Sequence, residues 1–471
     1  MIFDRVLAGQ DRRPRAQAPM SSFRDQIPSG GVFEPIIARI QALQPPVVDA
    51  SLERIERLLR WMGDPQNRLP PTFHVAGTNG KGSTCAYLRS IAEAAGLRAH
   101  VYTSPHLIRF NERVRVAGAI VSDVILAEAI LHAERANDGA PITIFEIVTA
   151  AALQLFASYP SDICVLEVGL GGRADATNVV RRPAVCSITS ISMDHSDVLG
   201  GTIREIAREK AGIMKPGAPV VVGRQSPEAT RVIASNADDV GARLLQRDRD
   251  WTIERRHGAV EFADAMGQLS LPLPSLDGAH QLDNAGIAIT SLRASELSFP
   301  GSAFDGIAAA KWPGRMQRLK GGLSDLLPPG WELWLDGGHN VGAAEALATH
   351  FADWRDVPIH LIVGMKDSKD AAGFLNLVLP FASSCWAVAE PQQHLAMPVD
   401  QIVAAAGGGA RPGPTVSGAL QQLATAPEWR YPRARVLICG SLYLAGVALQ
   451  IDRRAGRRSQ SRRDPNLSDL A

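Results

Sequence analysis

The sequence predicts an α/β protein in which doubly wound, mostly parallel sheets build a larger domain and then a smaller one. Three observations carry that expectation. Residues 72–90, TFHVAGTNGKGSTCAYLRS, pass from a β-branched and aromatic segment through a glycine-rich turn into a stretch patterned as a helix. Strand-like runs recur at 163–166, 184–191, 331–335, 360–363 and 436–439, with helical patterns between them, as in sheets covered on both faces. The length of 471 residues exceeds one typical core, so two or three domains are expected.

Composition narrows the class. Hydrophobic residues make up 46% and charged residues 21%, as in a globular enzyme. A net charge of +1 argues against an extended nucleic-acid surface. Cys85, Cys164, Cys186, Cys385 and Cys439 are scattered and lack CxxC spacing, so they read as thiols in a reducing, cytoplasmic setting. No run of eighteen apolar residues suggests a membrane span. Residues 1–31 read as a disordered N-terminal extension without the apolar core of a secretory signal. Residues 453–471, rich in arginine, read as a disordered basic tail.

Taken in order, residues 32–62 predict two helices. Ile36, Ile37, Ile40 and Leu43 share one face, and Pro45-Pro46 stops the first helix. Asp49-Ala50-Ser51 then starts a second, with the stripe Leu52, Ile55, Leu58, Leu59 and Met62; Asp49 fits an N-terminal cap. In the glycine turn, Gly77, Gly80 and Gly82 leave backbone N–H groups free to curl round an anion, and Thr78 and Asn79 lie between them. Lys81 can reach terminal phosphates, and Ser83 or Thr84 can place a hydroxyl on Mg²⁺. Gly82 intervenes between the lysine and the hydroxyls, which departs from the ordinary phosphate-loop pattern.

Polar residues recur where later strands end, the edge at which open α/β sheets bind ligands. Ser104 follows His100-Val101-Tyr102 and would face the same crevice as Ser83. Glu167 follows Ile163–Leu166, His195 follows Asp194 after the strand at 184–191, and Asp336 follows 331–335. Each is a candidate ligand at a sheet edge, or else an ion-pair, core or turn residue. Glu146 stands in the apolar helical run 141–157, where an unpaired carboxylate is costly, unless it faces solvent. Lys210 lies near the end of the helix at 202–212, where it complements the dipole. Residues 247–251 and 258–273 suggest a small β extension, and 278–285 open a helix bearing Asn284. Lys311–Gln317 has the Pro and Gly of a domain junction, with Arg315 in the hinge.

The loop GTNGKGST resembles that of the Mur ligase superfamily, and HVAGTNGKGST is similar to its folylpolyglutamate synthase/dihydrofolate synthase branch. TSPHL, NERV, LEVGLGGRADATN, MDH, EKAGI, HQLDNA, WPGRMQ, LDGGHN and CGSLYLAG follow in order, so the resemblance runs from about residue 35 to 450. It implies a Mur-ligase-like fold: a P-loop ATP-binding domain at 32–312 and a smaller Rossmann-like glutamate-ligase domain at 313–452. It implies that Ser83, Ser104, Glu167 and His195 face Mg²⁺, at two sites, with room for a monovalent cation. By the same resemblance, Asn284, Arg315 and Asp336 would join Gly77 to Thr84 on ATP, and His339 would lie near the reacting phosphate. Asp49, Thr143, Phe145, Glu146, Ala174, Asp175 and Ala176 would hold the pterin substrate. Lys210 would carry a carbamate made from CO₂.

The implied activity is ATP-dependent ligation of L-glutamate to dihydropteroate, to reduced folates, or to both, through an acyl phosphate, by a monomer. Two rivals stand beside it. Another Mur-type amino-acid ligase would need a further N-terminal domain, and about 70 residues precede the loop. A non-catalytic nucleotide-binding regulator would not need Glu167, His195 and Lys210.

Overall fold

A computed structural model describes residues 31–45, 51–429 and 431–463. The first sheet holds eight strands: β1 Thr72–Ala76, β2 Ala99–Tyr102, β3 Val114–Val116, β4 Ala119–Ile120, β5 Ile163–Glu167, β6 Val185–Ile188, β7 Pro219–Val222 and β8 Arg243–Gln246. Their order is β4-β3-β2-β5-β1-β6-β7-β8. The six strands from β2 to β8 in that row run parallel; β3 and β4 add an antiparallel edge. Strand β1 lies between β5 and β6, in register Val75 to Glu167 and Ala76 to Ile188.

Alternation explains why β5 reads as one apolar run. Cys164 and Leu166 pack into the layer of Ile55, Leu58, Ile147 and Phe156, while Ile163 and Val165 pack against Leu88, Ile91 and Ile289. The helix Lys81–Ala94 thus lies over β1 and β5 beside the helix His280–Ala294. Both point their N-termini at the edge where β1, β5 and β6 end.

A three-stranded antiparallel sheet, β9 Trp251–Arg256, β10 Ala259–Asp264 and β11 Gly267–Leu271, forms the expected β extension. Trp251, Ile253 and Phe262 seat it on the helix at 280–294, where a Cβ at Gly286 would overlap Trp251. Arg247 makes an isolated bridge to Trp251, and residues 248–250 are a turn joining the extension to β8 rather than a strand.

The second sheet orders β12 Gln317–Leu319, β13 Trp331–Leu335, β17 Ala434–Cys439, β14 Ile359–Val363, β15 Ser384–Ala387 and β16 Arg411–Pro412. Only β12 is antiparallel to its neighbour. Two cores cover its faces.

Two expectations are corrected. The second helix begins at Glu53, and Ser51 Oγ accepts its backbone N–H at 3.1 Å; Asp49 lies outside the described residues. The C-terminal helix runs from Leu442 to Arg463, so the basic tail is helical to that point. Asp452, accepting the Leu323 N–H at 2.9 Å, anchors the helix, and propagation past an anchored segment is cheap. Residues 1–30 and 464–471 lie outside the description. Among the described residues, no helix is long and apolar enough to cross a membrane.

Candidate active site

The glycine turn leaves β1 at Ala76. Gly77 and Gly80 adopt φ of +146° and +91°, and a Cβ at either would overlap Thr189 or Asn284. Asn284 is therefore pressed against the loop from the first turn of its helix. Thr78 N donates to Ser190 O at 2.8 Å, which ties the loop to the end of β6. The helix Lys81–Ala94 starts at once, adding its free N–H groups. The Ser83 hydroxyl is buried and has no hydrogen-bond partner. Thr84 is also unpartnered but lies one position further in, behind the wall of the cleft.

A cavity of about 230 Å³ opens here, lined by Gly77 to Ser83, Ser104, Glu167, His195, Lys210, Asn284, Arg315, Asp336 and His339. Residues from eight separated segments thus share one space. Glu167 accepts from Ser104 N at 3.2 Å, and burial, partly offset by Lys81, pushes its carboxyl up to about 7. His195 stands in the left-handed region, φ +52°, with its imidazole nearly half exposed. Burial and the neighbouring Lys369 and His339 keep it neutral against the pull of Asp194. Lys210 is buried, donates to Gly77 O at 2.9 Å, and is pushed down to about 7 by burial and by Lys81.

The second sheet supplies the facing wall. Asp336 accepts from Met316 N at 2.8 Å and Gly338 N at 2.6 Å, so it pins the junction to the turn after β13. Arg315 Nη1 donates to Gly314 O at 2.9 Å and lies against Gly337. Asn340 bridges the halves: its amide bonds Asn79 at 3.1 Å and Asp194 at 2.9 Å, while its Oδ1 accepts from Asn79 and from Ala343 N. Burial opposes charge on Asp194, yet His339 and Lys369 outweigh it and hold the carboxyl well below the usual range.

A second cavity of about 670 Å³ adjoins the first and shares Ser104, His195 and His339 with it. Thr143, Phe145, Glu146, Ala174, Asp175 and Ala176 line it together with Arg54. Glu146 does not face solvent. It closes a capping box with Thr143 and accepts from Arg54 Nε at 3.1 Å. Asp175 accepts from the N–H groups of Gly169, Leu170 and Thr177, holding the loop that forms the floor. Phe145 packs over Gly169, where a Cβ would overlap its ring.

Sequence reasoning missed the second sheet's contribution to this cavity: Lys366, Lys369, Ser441 and Tyr443. The available signal was the polar strand tip GMKDSKD and the serine directly after β17.

Among the described residues, no group of three or more His, Cys, Asp or Glu could hold a metal ion. Two hydroxyls, one carboxylate and one imidazole line the loop side instead, and the unpartnered Ser83 Oγ is the clearest vacancy in hydrogen bonding. The three oxygen donors suit a hard cation such as Mg²⁺, whereas the imidazole is a donor that such a cation does not by itself call for.

Fold and loop together define a Mur-type ATP-dependent ligase, and the model of the Mur ligase middle domain matches residues 75–292. The dihydrofolate synthase/folylpolyglutamate synthase of Escherichia coli is 34% identical over 443 residues, which cover 93% of this chain and 97% of that protein. The structure of E. coli FolC in complex with DHPP and ADP aligns with a TM-score of 0.80 and 34% identity, over 90% of this chain and 97% of that one. A bifunctional folylpolyglutamate synthase/dihydrofolate synthase with Mn, AMPPNP and L-glutamate bound aligns with a TM-score of 0.77 at 34% identity, over 88% and 97%. The chain belongs to the dihydrofolate synthase/folylpolyglutamate synthase family.

Proposed function

We propose that this chain joins the amine of L-glutamate to the carboxylate of dihydropteroate, of reduced folates, or of both, at the expense of ATP. The observation that carries this reading is the meeting of two cavities, one built round an anion-binding loop and one with an aromatic and polar wall, at Ser104, His195 and His339. Similar proteins bind ADP with DHPP, and Mn with AMPPNP and L-glutamate.

In this reading the γ-phosphate passes to the substrate carboxylate, and glutamate's amine displaces phosphate from the resulting acyl phosphate. The first step brings two anions together. Lys81 and the N–H groups of the loop offset that repulsion, so catalysis is mainly positioning and electrostatics. Ser83, Ser104, Glu167 and His195 would hold a bound Mg²⁺, which would supply further charge neutralisation. Asn284, Arg315 and Asp336 position the nucleotide, and His339 faces the transferring group. The neutral Lys210 amine forms an N–C bond to CO₂ and releases one N–H proton to solvent, so that the carbamate presents an anion to the same site. Phe145, Arg54 and the loop held by Asp175 receive the pterin. The protein works as a monomer in a reducing, cytoplasmic setting, in keeping with five buried, unpaired cysteines.

The test is direct incubation of purified protein with ATP, L-glutamate and either dihydropteroate or tetrahydrofolate. Product mass one glutamyl unit higher, with phosphate released in equal amount, is expected. Neither product forming while ATP still binds would overturn the reading in favour of a nucleotide-binding regulator.

A further inference from the structure

His74, in the middle of β1, takes no part in the ligation steps above. Phe73 and Val75 pack against Leu88 and Ile91 of the helix behind the phosphate loop, so alternation turns His74 to the opposite face of the sheet, where it is fully buried. There its Nε2 lies 2.8 Å from Thr177 Oγ1, a residue 103 positions further along the chain. Thr177 Oγ1 donates in turn to Asp175 Oδ1 at 2.5 Å. The other oxygen of Asp175 accepts the N–H groups of Gly169 and Leu170 at 3.0 and 2.9 Å. A buried chain of side chains therefore runs from the strand before the phosphate loop to the floor of the second cavity.

The protons of this chain have one favoured arrangement. Burial, and after it Lys215, lowers the His74 ring to about 3, so it is neutral and has a single N–H to give. The Thr177 hydroxyl also has a single proton. Given to Asp175, that proton leaves a lone pair free to accept the Nε2–H of His74. His74 Nδ1 is then a bare acceptor, buried and without a hydrogen-bond partner among the described residues. The other tautomer loses more. It buries an N–H at Nδ1 with nothing to accept it, and it turns the Thr177 proton away from Asp175 onto Nε2. Burial raises the Asp175 carboxyl, and the Thr177 hydroxyl opposes that rise most, so the carboxylate depends on where this one proton points.

Building on the ligase reading above, we infer that His74 is a positioning residue for the pterin substrate: its Nε2–H fixes the Thr177 hydroxyl on Asp175 and thereby holds the turn at Gly169 and Leu170. Phe145 packs directly over Gly169, so a shift of that turn displaces the ring assigned to the pterin. The phosphate loop is closer to His74 in sequence but is held by other groups. Thr78 N is tied to Ser190 O, and Lys81 and Lys210 are tied to Gly77 O. His74 stands three residues before Gly77. Loss of packing at His74 would therefore disturb the nucleotide first, whereas loss of its hydrogen bond disturbs the pterin side.

Two measurements on the full chain test this. In the first, calorimetry gives the affinities of wild type, H74L, H74Q, T177V and H74L/T177V for dihydropteroate and for AMPPNP. H74L and T177V each weaken dihydropteroate binding by about tenfold, the scale of one hydrogen bond in a buried charged chain, and change AMPPNP binding by less than about twofold. The double variant is no weaker than T177V, because both changes break the same chain. H74Q, whose amide N–H reaches the place of the Nε2–H, restores most of the affinity. An equal loss for both ligands, additive losses, or H74Q as weak as H74L overturns the assignment. In the second, long-range ¹H–¹⁵N correlation NMR of histidine-labelled wild type reads the tautomer, with H74Q identifying the resonance. Protonation at Nε2 is expected; protonation at Nδ1 overturns the assignment, and this holds even if the leucine variant does not fold. Wild type that binds AMPPNP but neither dihydropteroate nor tetrahydrofolate refutes the ligase reading, and the tautomer then decides the chain from His74 to Asp175 by itself.

Discussion

Lys81 Nζ and Lys210 Nζ donate to the same acceptor, the carbonyl oxygen of Gly77, each at 2.9 Å. One lysine starts the helix behind the phosphate loop, and the other comes from the end of a helix more than a hundred residues away. Two ammonium groups on one oxygen repel each other, which adds to the effect of burial on Lys210. Burial first, and then the Lys81 charge, lowers the Lys210 amine to about 7, so its neutral form is within reach near neutral pH.

Lys81→Ala should lower turnover by about 10²–10³, the scale of losing one group that stabilises developing charge. Steady-state phosphate release with saturating substrates checks it, and near-normal turnover would remove Lys81 from its assigned role.

Lys210 has its midpoint lowered from 10.5 to about 7, first by burial and then by Lys81. Its neutral form therefore dominates above that point and disappears below it. Addition of ¹³C-labelled CO₂ should give a carbamate signal in carbon NMR that grows as pH rises from about 6 to 8. Removing the Lys81 charge weakens one of the two causes, so in Lys81→Ala the same rise should move to higher pH.

Arg54 and Glu146 form an ion pair whose side chains are 13% and 7% exposed. Arg54→Met leaves the carboxylate buried with its capping-box partner alone. The expected loss is about 3 kcal/mol of stability in urea melts, most of it recovered when Glu146→Gln is added. Because both residues wall the second cavity, KM for dihydropteroate should rise while KM for ATP stays constant.

Asn340 joins the loop residue Asn79 to Asp194 across the cleft. Asn340→Ala removes those bonds and a helix cap, and should reduce kcat by about tenfold. Small-angle scattering of the nucleotide-bound variant should show a larger radius of gyration than wild type.

The strand tips were legible because their signals are local. A buried strand, a glycine and an acid within ten residues announce a sheet edge, which is how Glu167, His195 and Asp336 stood out. What joins them is not local. Asn79 and Asn340 are 261 residues apart, and Lys369 and Asp194 are 175 apart. No periodicity marks such partners, so Lys369, Asn340, Ser441 and Tyr443 emerged only from the packed chain. Glu146 shows the same limit from the other side: its burial was visible as an anomaly, but its partner Arg54 lies 92 residues earlier. The C-terminal arginines suggested a solvated end because composition does not register the anchor that Asp452 gives the last helix.

The central claim is that phosphate is transferred onto the substrate's own carboxylate within the joined cavities. Dihydropteroate labelled with ¹⁸O in that carboxylate, turned over with ATP and L-glutamate, measures it most directly. An acyl phosphate requires one labelled oxygen in each inorganic phosphate released, read by mass spectrometry. Unlabelled phosphate formed together with the glutamylated product would contradict the account.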